Sequence, residues 1–335
     1  MRRRSFVSLS VASLAVTRSL SIRGFAAARA DDVPQRLGDL LVNRRASDRY
    51  EIRFTPDRPR PLRILQLTDT HFHPSATTPR TETVIRGLVE RERPDLVVHT
   101  GDFVNNDAVD RVEWRGLEFM NGLSAPWTLC FGNHDYPIHD AEGSLALDAI
   151  HDRIAHGLQG HLDTPAGRHY CWRYDLFSGD AARPAASLCF FQVGYAAGDR
   201  KISAPQLDWF DGGMRADAES GDDSPVTVFV HIPLVEYDKL HASGRARGVK
   251  GEKVCFDSDA GDSFRRFAGS SRVTAVFCGH DHVNNYHGDW EGIDLVYGRV
   301  SGWGGYGPDH WQRGGRLIEF DLAEPRPAAR HREVF

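Results

Sequence analysis

The chain of 335 residues carries 41 Lys+Arg against 46 Asp+Glu, a formal net charge of −5, 41% hydrophobic residues and five cysteines. This composition excludes a disordered or fibrous chain, and the length allows one large or two ordinary domains with a substantial core. Arg2, Arg3, Arg4, Arg18, Arg23 and Arg29 fall in the first thirty positions with no acid among them. The rest of the chain is therefore decidedly acidic, which argues against nucleic acid as a partner, because such binders need a basic face.

Residues 1–30 read as an export leader and 31–335 as one domain. Arg3-Arg4-Ser5-Phe6-Val7 resembles the twin-arginine pattern, a short apolar stretch follows from Val7 to Val16, and Ala28-Arg29-Ala30 offers a small-x-small cleavage site. The apolar run is too short to span a bilayer. A periplasmic or secreted mature protein is expected, with no membrane span.

From Leu62 the chain alternates strand-like and helical patterns. Leu62–Leu67 reads as a strand, Arg80–Arg93 as an amphipathic helix stopped by Pro94, Asp95–Thr100 as a strand, Asp110–Leu123 as a helix and Trp127–Phe131 as a third strand. This βαβαβ order implies a buried parallel sheet. Tyr170–Phe177 and Ser187–Val193 read as two consecutive strands, and Ser203-Ala204-Pro205-Gln206 as a capped helix start. Further strands are expected at Pro225–Val230, Arg272–Cys278, Ile293–Tyr297 and Arg316–Phe320, with a long surface loop over 238–262. The mixture points to two packed sheets covered by helices.

Five polar clusters stand directly after strand-like runs: Asp69-Thr70-His71, Gly101-Asp102, Gly132-Asn133-His134-Asp135, His231, and Gly279-His280-Asp281-His282. Strand carboxyl ends form the ligand crevice of open α/β sheets, so the five are able to converge. Two carboxylates, an amide oxygen and several imidazoles make an oxygen/nitrogen donor set suited to Fe, Mn or Zn. Seven donors exceed the needs of one ion. Two ions sharing a carboxylate account for them, an arrangement used for in-line displacement at phosphorus.

With these clusters in this order the sequence resembles the calcineurin-like metallophosphoesterase superfamily over about residues 60–322. The resemblance implies an α/β fold, a four-layer α-β-β-α sandwich with two mixed β-sheets. It further implies that Asp69, His71, Asp102 and His282 hold one transition-metal ion and Asn133, His231 and His280 complete a second, with Asp102 bridging. His134 would stabilise or protonate the leaving oxygen, with Asp135 fixing its tautomer. The implied function is hydrolysis of small phosphate esters by a metal-bound hydroxide, phosphomonoesters before phosphodiesters such as cyclic nucleotides, nucleic acid or phospholipid headgroups. A binding protein on the same fold without catalysis is the remote alternative.

Several stretches resemble the purple-acid-phosphatase-like branch, among them Ile64–Asp69, Gly279–Asn284 and Gly302–Gly307. Asn105, however, stands three residues after Asp102, where purple enzymes place a tyrosine ligand. Asn105, Tyr195, Asn284, Trp303 and Tyr306 are candidates for the substrate pocket. The Gly302–Gly307 stretch reads equally as a lid or as a tight turn. Arg245, Arg247, Lys250 and Lys253 read first as a solvated basic loop, and alternatively as a clamp for a second phosphate or a carboxylate. Cys130, Cys189 and Cys278 read as small buried side chains, with a Cys171–Cys189 pairing as an alternative.

Overall fold

The computed structural model describes residues 33–73, 75–105, 114–135, 143–165, 167–193 and 200–335. The leader at 1–30 and Tyr195 lie outside the described residues. No helix among the described residues is long and apolar enough to cross a membrane.

In chain order the first half forms β1 (Gln35–Leu37), β2 (Leu40–Ala46), β3 (Arg49–Phe54), β4 (Leu62–Leu67), α1 (Thr77–Glu92), β5 (Leu96–His99), α2 (Trp114–Asn121) and β6 (Trp127–Leu129). A short helix α3 (Gly143–His151) and a small hairpin of β7 (Leu162–Thr164) and β8 (Gly167–His169) follow. The second half forms β9 (Cys171–Ser178), β10 (Ala186–Phe191), α4 (Ala204–Ser220), β11 (Val226–Phe229), α5 (Val235–Ala242), α6 (Asp262–Gly269) and β12 (Val273–Cys278). It closes with β13 (His287–Trp290), β14 (Ile293–Tyr297), β15 (Gly315–Phe320) and β16 (Arg330–Val334).

Two mixed sheets result, ordered β1-β2-β3-β9-β10-β11-β12-β14-β13 and β16-β15-β4-β5-β6. The strands that matter for function are parallel neighbours: β4, β5 and β6 in the smaller sheet, β10, β11, β12 and β14 in the larger. Such strands are buried on both faces and alternate their side chains between two cores. Leu188 and Phe190 of β10 enter the core that also holds Leu65, Val97 and Leu317 of the smaller sheet, whereas Cys189 and Phe191 enter the core under Phe210 of α4, Tyr237 of α5 and Phe267 of α6. Hence the inner core glues sheet to sheet and the outer core glues helices to the larger sheet. Helix α1 contributes Ile85 and Leu88 to the first of these.

Local signals act as the sequence implies. At the start of α4, Gln206 accepts the Ser203 backbone N–H at 2.9 Å, completing the expected cap. Helix α1 ends on Arg93 in a left-handed conformation one residue before Pro94, yet it begins at Thr77 rather than Arg80, with Pro79 accommodated in its first turn. The expected 238–262 loop is a correction. Residues up to Ala242 are helical in α5, and the remainder is strapped down by bridges from Arg247 to His287 and from Lys250 to Asn284.

All five cysteines are free thiols. Cys171 pairs across the ladder with Phe191 and Cys189 with Arg173, so the two cysteines are diagonal neighbours. A diagonal offset leaves their Cβ atoms well beyond the roughly 4 Å that a disulfide spans.

Candidate metal centre

Each predicted cluster follows the carboxyl end of a parallel strand, and the two sheets bring those ends face to face. Asp69 and His71 follow β4, Asp102 follows β5, and Asn133 and His134 follow β6 in a 3-10 turn over Asn133–Asp135. His231 follows β11, and His280 and His282 follow β12. The loops are bonded to one another: Asp69 N–H donates to Gly101 O at 3.0 Å, His71 N–H to Asp102 O at 3.0 Å, and Gly279 N–H to His231 O at 2.9 Å. The sheets touch at Gly279, where a Cβ would lie 1.9 Å from Thr68 Oγ1 and 2.8 Å from Asp69 Oδ2.

Ligand atoms of Asp69, His71, Asp102 and His282 lie within 4.8 Å of one another, as do those of Asp102, His231 and His280. Asp102 belongs to both groups, with Oδ2 3.5 Å from His71 Nε2 and Oδ1 3.2 Å from His231 Nε2. Across the groups' interiors His71 Nε2 faces His282 Nε2 at 3.2 Å, and His231 Nε2 faces His280 Nδ1 at 3.2 Å. Nitrogen atoms crowded against each other and against carboxylates suit a cation between them. The donor set fits such ions on a further ground: Asn133 lines the same cleft as Asp102 and His280, and its Oδ1 is buried with no hydrogen-bond partner in the structure. An orphaned buried amide oxygen is costly unless a cation satisfies it.

Partners outside the cluster orient several donors. His231 Nδ1 meets Thr100 O at 2.7 Å and His282 Nδ1 meets Tyr306 O at 2.8 Å, which turns both Nε2 atoms inward. Thr68 Oγ1–H donates to Asp69 Oδ2 at 2.7 Å. His71 is the exception, its Nδ1 being buried without a partner. Backbone strain concentrates here too: of nine described non-glycine residues with positive φ, four are Asp69 (54°), His71 (45°), Asp102 (51°) and His280 (78°). Left-handed conformations of this kind persist only where the surroundings over-determine them.

Electrostatics set the protonation of these side chains. Burial alone would raise the carboxyls of Asp69 and Asp102, but His282 beside the first and His231 beside the second outweigh it and hold both below the usual carboxylate range. Burial likewise lowers His71 to about 4 and His280 to about 3. Against the same burial, Asp102 and then Asp69 push His231 up to about 9, and His282 is raised by its bond to Asp69.

The cleft over the centre encloses about 470 Å³ and is lined by His71, Asp102, Asn133, His134, His280 and His282. The His134 ring stands 5.1 Å from that of His71, and its backbone N–H donates to Asp102 Oδ1 at 2.9 Å. Asp135, expected to orient His134, is fully buried, and its oxygens accept the N–H groups of Val104 (2.9 Å) and Gly132 (2.7 Å), tying together the loops after β5 and β6.

Of the expected pocket residues, Asn105 and Tyr306 line the cleft. Two others are corrections. Asn284 is fully buried, its Oδ1 accepting the N–H groups of Gly251 and Glu252, and the Trp303 ring is stacked by the guanidinium groups of Arg80 and Arg313 outside the cleft lining. The Gly302–Gly307 stretch is a wall rather than a lid. A Cβ on Gly305 would stand 2.3 Å from His282 Cε1 and 2.7 Å from His71 Cδ2, and Ser301 N–H donates to Thr68 O. Sequence reasoning missed Arg200, Glu252 and Cys255 in the lining, none of which sits in a motif.

A profile of the family described as "Calcineurin-like phosphoesterase" matches residues 62–284, two thirds of the chain. The chain belongs to that family. Among curated relatives the phosphoesterase is 26% identical over 309 residues to an Arabidopsis thaliana protein named "Probable inactive purple acid phosphatase 29", covering 79% of this chain and 78% of that one. It is 28% identical over 271 residues to the Saccharomyces cerevisiae "Phosphatase DCR2", covering 67% of this chain and 44% of the yeast protein. Among solved structures, a dimetal phosphatase from Danio rerio superposes with a TM-score of 0.55 at 14% identity, covering 78% of this chain and 96% of the other. That likeness confirms the α/β sandwich of two mixed sheets. The phosphoesterase is thus a phosphoric ester hydrolase by family, with a residue cluster able to hold metal ions.

Proposed function

We propose that the protein hydrolyses small phosphomonoesters at a dinuclear centre, with Asp69, His71, Asp102 and His282 holding one ion and Asp102, Asn133, His231 and His280 the other. The observation that carries this reading is the split of the Asp102 carboxylate, one oxygen toward each group. When bound, two transition-metal cations (Fe, Mn or Zn) would supply Lewis acidity toward the phosphate and an activated water. The chain's own residues do the rest. Asp102 fixes the spacing of the two positions, Asn133 supplies a neutral oxygen where a third carboxylate would cancel the positive field, and Asn105 faces the bound ester. His134 donates its ring proton to the leaving oxygen from the cleft wall.

The Arabidopsis thaliana relative carries "inactive" in its name, but here all seven donor positions and His134 are filled by residues able to act. Asn105 in place of a tyrosine supports a centre without an obligatory ferric ion. The arginine-rich leader supports twin-arginine export to the periplasm or medium, and an uncleaved N-terminus on purified mature protein would remove that reading. To rank ester classes, turnover of 4-nitrophenyl phosphate is compared with that of bis(4-nitrophenyl) phosphate. The monoester is expected to be the faster, and a faster diester would overturn the preference.

Metal loading at pH 7 is expected to expel protons. His231, with its basicity raised to about 9, holds a proton before the ions enter and must be neutral afterwards, and His282 is shifted in the same direction by its bond to Asp69. A donor protonated below its raised pKa competes with the ion, so affinity rises with pH toward about 9 and falls as pH drops. Calorimetric titration with Zn²⁺ or Mn²⁺ in two buffers of different ionisation enthalpy counts the protons, and a count of zero would show His231 neutral beforehand.

A further inference from the structure

We propose, building on the phosphomonoesterase reading, that Arg200 and Lys253 form a second oxyanion subsite on the cleft wall, so that the preferred substrates are small phosphomonoesters bearing an additional phosphate or carboxylate group. Both residues line the same cleft as the metal-ligating groups. Among the described residues neither cation has a carboxylate within ion-pair distance, and the Arg200 guanidinium meets only a thiol, Cys255 Sγ, 3.0 Å from its Nη1.

Two acids of the same wall, Glu252 and Asp281, are held by other hydrogen-bond donors. Glu252 accepts from the Tyr306 hydroxyl at 2.9 Å and from Val283 N–H at 2.9 Å. Asp281 accepts from the Tyr297 hydroxyl at 2.6 Å and from Cys255 N–H at 3.2 Å. Among the described residues the two cations therefore keep N–H groups that no carboxylate bonds, and these are available on the cleft wall to an anion.

Their backbones are also held in place. Gly251 N–H donates to Val283 O at 3.0 Å and Glu252 N–H to Asn284 Oδ1 at 3.1 Å just before Lys253, while Ser258 N–H donates to Arg200 O at 3.1 Å. Anchored cations lose less freedom on binding than cations on a loose loop. The other members of the basic stretch go elsewhere: Arg245 stacks on Trp290, Lys250 pairs with Asp238 at 2.8 Å, and Arg247 lines a separate cavity. Lys253 alone of the four reaches the cleft, joined there by a residue more than fifty positions away in the chain. A volume of about 470 Å³ leaves room for the second group of a small bifunctional ester.

The test compares phenyl phosphate, 4-carboxyphenyl phosphate and 1,4-phenylene bisphosphate on the metal-loaded full chain. The wild type is expected to favour the two doubly anionic esters in kcat/KM, chiefly through KM, and the larger preference identifies carboxylate or phosphate as the second group. In the double variant Arg200→Ala, Lys253→Ala the ratio of kcat/KM for the doubly anionic ester over phenyl phosphate is expected to fall about ten- to hundred-fold, the range of a charge-assisted contact. Lys253→Arg, which keeps the charge, is expected to retain most of the ratio. A wild type that hydrolyses phenyl phosphate without preferring the second anion, or a double variant that keeps the preference, overturns the subsite and leaves the phosphomonoesterase reading standing. A metal-loaded wild type that hydrolyses none of the three overturns both.

Discussion

Replacing Asp102 by alanine is expected to empty both cation positions and to lower hydrolysis of 4-nitrophenyl phosphate by about 10³-fold or more. The size follows from the place of one side chain in two groups: Oδ2 lies 3.5 Å from His71 Nε2 and Oδ1 3.2 Å from His231 Nε2. Lewis-acid stabilisation contributes several kcal/mol, and each 1.36 kcal/mol is about a factor of ten in rate. The same oxygen Oδ1 accepts the His134 backbone N–H at 2.9 Å, so its loss also frees the turn that presents His134. Elemental analysis of purified protein, read beside turnover, decides the matter. A variant that keeps two metal equivalents and hydrolyses as well as the wild type would remove Asp102 from the centre.

His134→Ala is expected to behave in the opposite way toward metal, retaining both equivalents while turnover falls about 10²–10⁴-fold, the usual worth of a positioned general acid. The ring belongs to neither group of converging donor atoms, and the backbone N–H that bonds Asp102 survives the substitution. A general acid matters most for poor leaving groups. The variant's rate is therefore expected to depend more steeply on the leaving-group pKa across a series of aryl phosphates. Unchanged dependence would show that the ring binds substrate without transferring a proton, and loss of metal would make it a ligand.

The convergence of the polar clusters was legible because each is contiguous with the strand that delivers it, so that Val97-Val98 and Asp102, or Phe277-Cys278 and His280, appear in one glance at the sequence. What escaped notice has no such local signature. Strands β1 to β3 precede the motif-bearing region, although Tyr50, Ile52 and Phe54 alternate with Arg49, Glu51 and Arg53 as a half-buried strand should. Strands β13 and β16 have compositions rich in His, Asp, Arg and Glu, and their edge positions tolerate them. Asn284 is expected in the pocket because it falls just after a strand end, but its side chain is buried in the fold, where it anchors Gly251 and Glu252. Arg200 and Glu252 reach the cleft only through long-range packing, which no spacing rule encodes.

The left-handed backbone at Asp69, His71, Asp102 and His280 has a consequence for how this protein can be improved or can drift. Glycine adopts that conformation freely, whereas other residues hold it at a cost of ~1–2 kcal/mol. Glycine at any of the four would relax the chain and delete a donor in the same step. Heat tolerance and chemistry thus compete for the same positions, and selection for thermostability in a chelating medium would erode the centre. With ions abundant the competition reverses, because binding to the folded state alone adds to its stability. The metal supply of the compartment, rather than the chain by itself, decides which sequences count as robust.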